Sequence, residues 1–212
     1  MKILYKILDE VYPTKENGTS AKLGITIGLM GSGKTTFSKV LSKVFKDKYG
    51  EAYVIWFKST QDFLYFMDMC DGLSSKNLFF VLDDVSFYLF GVTQHTRNFL
   101  SEFFKIRHYC RKAEKIFTMF IVHYSKSINR FLRGAHLKVL TSFDPVEFKN
   151  LSELFPESDL VDYYEYYLKH YEDKFIYLIR TPIHSYIVDF TLDKEILEQL
   201  SYSPKSTTAL NF

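Results

Sequence analysis

Residues 28–35 read Gly28-Leu29-Met30-Gly31-Ser32-Gly33-Lys34-Thr35, which satisfies the pattern GxxxxGK[ST] with no mismatch. Glycines at 28, 31 and 33 let backbone N–H groups turn inward and approach an anion without a Cβ in the way. A helix opening at Lys34 aims its positive end at the same point. This chemistry suits a nucleotide held by Gly28, Met30, Gly31, Ser32, Gly33, Lys34, Thr35 and Thr36. Lys34 is expected to reach the β- and γ-phosphates, the Thr35 hydroxyl to bind Mg²⁺, and Thr36 to contact the α-phosphate. The bland alternative is a glycine-rich turn with a chance lysine, and the flanking sequence argues against it.

Upstream, LGITIGL (23–29) is apolar throughout and reads as a buried strand. Downstream, residues 34–49 set Phe37, Val40, Leu41, Val44 and Phe45 on one helical face, with Gly50 as the stop. Further strands are expected at about 52–57, 77–84, 115–124 and 137–143. Helices are expected within 61–70, over about 94–112, and in the basic segment 125–134. Near-continuously apolar strands alternating with helices indicate a mostly parallel sheet covered on both faces, hence an α/β fold. After Asp144 the pattern changes. Leu160, Val161, Tyr164, Tyr167, Leu168 and Tyr171 share a helical face, and 175–182 with 185–190 read as a hairpin across Pro182–His184. A last short helix carries Ile196, Leu197 and Leu200. The organisation expected is a single domain over 1–212: a lead-in (1–22), a nucleotide-binding core (23–144), a C-terminal addition (145–200) and a tail (201–212).

A second chemical feature lies about fifty residues past the loop. The apolar run Leu78–Leu82 ends in Asp83-Asp84, the Walker B pattern. Adjacent carboxylates at the tip of a buried strand are costly unless a cation sits nearby. Asp83 is therefore assigned to the metal shell and Asp84 to orienting and deprotonating the attacking water. The alternative is a helix-capping pair. The strand ending Ile121-Val122-His123-Tyr124-Ser125 would bring a polar side chain beside the γ-phosphate if it is inserted between the loop strand and the acidic strand. His123 is the first choice for that sensor and Ser125 the second; a satisfied core histidine is the bland reading.

Bulk properties narrow the field. Cys70 and Cys110 are the only cysteines and have no CxxC spacing, so neither a disulfide nor a zinc site is expected. No run approaches the roughly 18 apolar residues of a membrane span, and the N-terminus lacks the long uncharged stretch of a signal peptide. A soluble cytoplasmic protein with no membrane partner is expected. Charge is uneven: between Arg97 and Lys138, ten basic residues meet only Glu102 and Glu114, a net +8 in a chain of +2. Such a segment suits the sequence-independent neutralisation of a phosphate backbone, or a solvated face balanced elsewhere.

GLMGSGKT, FFVLDD and FIVHYSKSINRFLR on so short a chain resemble the FtsK/HerA superfamily of RecA-like P-loop ATPases. Among these they look most like the compact genome-packaging ATPases of double-jelly-roll and archaeal viruses. The resemblance covers roughly 23–190. It implies an ATP- and Mg²⁺-dependent motor that assembles as a ring, usually a hexamer, and pumps double-stranded DNA into a preformed capsid. A capsid or portal protein would be the partner, in the host cytoplasm or at the capsid vertex. It also implies an arginine supplied from the next subunit, for which Arg130 and Arg133 are the first candidates and Arg107 and Arg111 the next. Asp84 and His123 depart from the family's usual Glu and Gln or Asn. The competing reading is a small-molecule or nucleotide kinase on the same loop. A GTP switch lacks its NKxD motif, and a motor acting on protein is the remaining alternative.

Overall fold

In this computed structural model the described residues are 1–13, 19–70, 76–85, 93–123, 132–142, 151, 154–171 and 175–191. They form seven strands: β1 (Ser20–Ile27), β2 (Ala52–Phe57), β3 (Asn77–Leu82), β4 (Lys115–Val122), β5 (Leu137–Leu140), β6 (Ile176–Arg180) and β7 (Ser185–Asp189). These lie in one sheet in the order β2-β3-β4-β1-β5-β6-β7. Every pairing from β2 to β5 is parallel. β4 lies between β1 and β3, the inserted position expected of the His123 strand. The C-terminal hairpin extends the main sheet: β6 pairs antiparallel with β5, and β7 follows it.

Alternation along the inner strands explains why they read as continuous apolar runs. Leu78, Phe80 and Leu82 of β3 join one buried cluster, and Phe79 and Val81 join the other. Both faces of the sheet are covered, so both side-chain sets must be apolar. The first face packs α3 (Thr60–Met69), α4 (Gln94–Phe103), the short α5 (Ile106–Tyr109) and α6 (Ser158–His170). Tyr164 of α6 is fully buried and donates its hydroxyl toward the Leu140 and Ile176 carbonyls at 3.0 Å, seating the helix over β5 and β6.

The opposite face packs α2 (Lys34–Tyr49) and a helix where a lead-in was expected, α1 (Lys2–Val11). Leu4, Ile7, Leu8 and Val11 fall at i, i+3, i+4 and i+7 and are at most 1% exposed. Lys6 and Asp9 lie exposed on the other side of this amphipathic helix, and Glu10 is the exception among its charged residues near that end. Glu10 is buried and accepts from Thr181 Oγ1 (2.5 Å), His184 Nδ1 (2.9 Å) and the Tyr186 hydroxyl, which locks α1 to the β6–β7 turn. Burial raises its pKa, but these donors more than offset that and hold the carboxyl below the usual range.

Two further expectations change. The helix expected over 94–112 is interrupted after Phe103, although neither Gly nor Pro marks the break; Glu102 spans it, accepting from Lys105 (2.9 Å) and Tyr109 (2.5 Å). The expectation of no disulfide is overturned: Cys70, just past α3, is bonded to Cys110, just past α5. The two are 40 residues apart in sequence, and the crossover through β3 brings them together. A loop of that length contributes about 3–4 kcal/mol in the chain-entropy account. Reductant is therefore expected to lower the melting temperature by roughly 10 °C, as read by differential scanning fluorimetry alongside thiol alkylation. Identical melting with and without reductant, while alkylation shows free thiols, would contradict this. The segments carrying Ser125, Arg130, the Ile196–Leu200 pattern and the 201–212 tail lie outside the described residues.

Candidate active site

The loop between β1 and α2 sits at the carboxyl edge of the parallel strands, where α/β folds place their ligands. Two of its glycines use backbone that other residues avoid: Gly31 has φ +77° and Gly33, the N-cap of α2, has φ +86°. Gly28 and Gly33 are needed for a second reason, close neighbours. A Cβ at Gly28 would fall 2.1 Å from Thr141 Oγ1, and one at Gly33 would fall 2.2 Å from the Tyr177 hydroxyl.

Those neighbours grip the loop. Leu29 N–H donates to Ser142 Oγ at 2.9 Å, and the Ser32 and Thr141 hydroxyls share a hydrogen bond of 2.6 Å. Ser32 Oγ also donates to the Leu29 carbonyl at 2.8 Å. From β6 the Tyr177 hydroxyl donates to the Gly33 carbonyl at 3.4 Å. Thr141, Ser142 and Tyr177 escaped the sequence reading. Hydroxyl residues at the tip of a buried strand beside the loop strand were the available signal for the first two.

Lys34 is buried, at 5% exposure, and its ammonium donates to the Leu29 carbonyl at 2.6 Å. Desolvation lowers its pKa, while Asp83 and Asp84 pull the other way. An ammonium has three donors, so Lys34 can hold Leu29 and still reach phosphate oxygens. The Thr35 hydroxyl donates to Asp83 Oδ2 at 3.4 Å, bringing together two residues 48 positions apart in the chain. Asp84 follows in left-handed backbone, φ +53°, a region that Asp tolerates better than most residues. Its carboxylate lies 3.2 Å from His123 Nε2. The Val85 amide donates to the Ile121 carbonyl at 3.3 Å and so holds the acidic turn against β4.

Met30 stands out from the loop at 88% exposure, and Thr36 is half-buried on the first turn of α2. Arg133 is exposed on a 3₁₀ turn, Leu132–Gly134. Arg107 and Arg111 are exposed on the chain entering β4, the edge of the sheet opposite the loop. Lys105 and Lys112 are exposed on that same stretch.

Thr35 and Asp83 supply hard oxygen donors at one point. Among the described residues no three His, Cys, Asp or Glu side chains converge on a metal position. The pair therefore fits a cation that takes few protein ligands and completes its shell with phosphate oxygens and water, the habit of Mg²⁺.

Among the described residues no helix is long and apolar enough to cross a membrane. The sequence matches no protein-family model and no curated protein. Solved structures do match. The DNA-packaging ATPase B204 of Sulfolobus turreted icosahedral virus superposes with a TM-score of 0.52 at 13% identity, over 78% of this chain and 96% of that one. The genome-packaging NTPase B204 of Sulfolobus turreted icosahedral virus 2 matches in its complex with ATPγS (TM-score 0.51, 14% identity) and in its complex with AMPPCP (0.52, 12%). Each covers 79% of this chain and 96% of the other. The chain has the RecA-like P-loop NTPase fold that these viral packaging ATPases resemble: a mostly parallel sheet between helical layers, with the loop at its carboxyl edge.

Proposed function

We propose that the protein is an ATP-hydrolysing motor that translocates double-stranded DNA, of the kind that packages a viral genome into a preformed capsid. The observation carrying this reading is the pairing of the Thr35 hydroxyl with Asp83 beneath the loop, next to the Asp84–His123 pair. In this reading the backbone of Gly28 to Thr36 binds ATP. Thr35 and Asp83 hold Mg²⁺, which neutralises phosphate charge when bound. Lys34 compensates the charge on the transferring phosphoryl group, and Asp84, oriented by His123, positions a water and takes its proton. This division of labour needs no acceptor other than water, which separates it from a kinase.

The DNA-handling part is supported by the fold shared with the packaging ATPases and by the exposed basic residues Arg97, Lys105, Arg107, Arg111, Lys112 and Arg133. Assembly as a ring, usually a hexamer, would let Arg130 or Arg133 complete a neighbour's site, with a capsid or portal protein as the docking partner. The test is ATP turnover with and without duplex DNA. Turnover without any acceptor, stimulated by DNA of any sequence and losing that stimulation between about 50 and about 200 mM salt, is expected. Turnover that requires a small-molecule acceptor and ignores DNA would replace the motor with a kinase.

A further inference from the structure

Asp83 and the C-terminal hairpin flank the phosphate loop from opposite sides. In the sheet order β3-β4-β1-β5-β6, the acidic strand is two places from the loop strand on one side and β6 is two places on the other. The Thr35–Asp83 contact marks the metal and γ-phosphate end of a bound triphosphate. The ribose and base must then leave on the flank away from it, toward β6.

On that flank, Tyr177 lies beneath the loop. It is 3% exposed, its hydroxyl faces the Gly33 carbonyl, and its ring meets Phe37 and Phe190 edge-on or tilted at 5.7 and 5.3 Å. Two residues earlier, and so on the same side of the extended chain, Phe175 rises past the loop. Its ring edge is 3.7 Å from the position of a Gly33 Cβ, yet the residue is 41% exposed. The backbone beneath it is fixed: Phe175 N–H donates to Thr191 Oγ1 at 2.7 Å, and its carbonyl accepts from the Phe190 amide at 2.9 Å. A large apolar ring held out to solvent on a pinned backbone beside a phosphate cradle is a ready surface for a flat aromatic ligand.

We infer that Phe175 is the platform on which the nucleotide base stacks. The inference rests on the phosphate-loop reading above and adds the residue that selects a nucleoside over a bare polyphosphate. Stacking uses the π-face that every base presents, so it favours a nucleotide without reading the base edge. Phe175 is a binding residue and takes no part in the chemical step.

Calorimetric titrations of the full chain with MgATP, MgGTP and magnesium tripolyphosphate test this, using wild type, Phe175→Ala and Phe175→Trp. Phe175→Ala is expected to weaken MgATP and MgGTP by a similar factor, about tenfold or more, and to leave tripolyphosphate unchanged; Phe175→Trp is expected to keep wild-type affinity. Unchanged MgATP affinity in Phe175→Ala would overturn the platform while leaving the phosphate site intact. An equal loss of tripolyphosphate would also overturn it, because the ring would then be supporting the loop. Wild type that binds none of the three ligands would overturn the phosphate-loop reading itself.

Discussion

Lys34→Ala abolishes ATP turnover, with kcat expected to fall by about a thousandfold or more. The ammonium is the one cationic side chain that the GxxxxGK[ST] loop itself supplies, and its 5% exposure keeps water from screening it. Nothing else on the loop replaces a compact charge there: the glycines offer only backbone amides, and the hydroxyls of Ser32 and Thr35 are engaged with Leu29, Thr141 and Asp83. The variant also deletes a donor to the Leu29 carbonyl, so circular dichroism and the melting temperature must accompany the rate. A folded Lys34→Ala protein with normal turnover would remove the loop from the chemistry.

Asp84→Asn separates binding from hydrolysis. Asn, like Asp, accepts left-handed backbone, so the φ of +53° at this position persists. The amide oxygen can still meet His123, but the substitution removes the charge that takes a proton from water. MgATP affinity is expected to stay within about threefold of wild type, while kcat falls by about 10²–10⁴, the usual worth of a positioned general base. Calorimetric titration and steady-state turnover on the same preparation provide the comparison. If affinity and rate decline together, Asp84 shapes the site and does not act on the water.

What could be read from the chain, and what could not, follows the range of the interactions involved. The loop, the apolar strands and the amphipathic face of α2 are local patterns, and each stood in the sequence at the position the fold gives it. The insertion of β4 between β1 and β3 was accessible as well, because the order of loop strand, acidic strand and later polar-tipped strand carries it. Contacts between distant elements were hidden. Nothing near Cys70 points to Cys110, and nothing near Glu10 points to Thr181, His184 and Tyr186; both sets meet only after the sheet has formed. The hairpin was visible as a hairpin. Its place beside β5, which brings Tyr177 under Gly33 and Phe175 past the loop, was not, because an antiparallel edge pairing leaves no mark in side-chain alternation. The first helix is hidden for a related reason: Glu10 interrupts its apolar pattern, and the donors that allow that carboxylate to be buried come from the far end of the chain.

In the proposed function, Thr35 and Asp83 share one cation beneath a triphosphate caged by the loop amides. A crystal structure of the chain with Mg²⁺ and a non-hydrolysable ATP analogue tests it most directly. Mg²⁺ is expected about 2.1 Å from the Thr35 hydroxyl, with Asp83 touching it directly or through one water and phosphate oxygens within hydrogen-bond reach of the Gly31 to Lys34 amides. A triphosphate bound away from this loop, or a cation with neither Thr35 nor Asp83 in its shell, would contradict it.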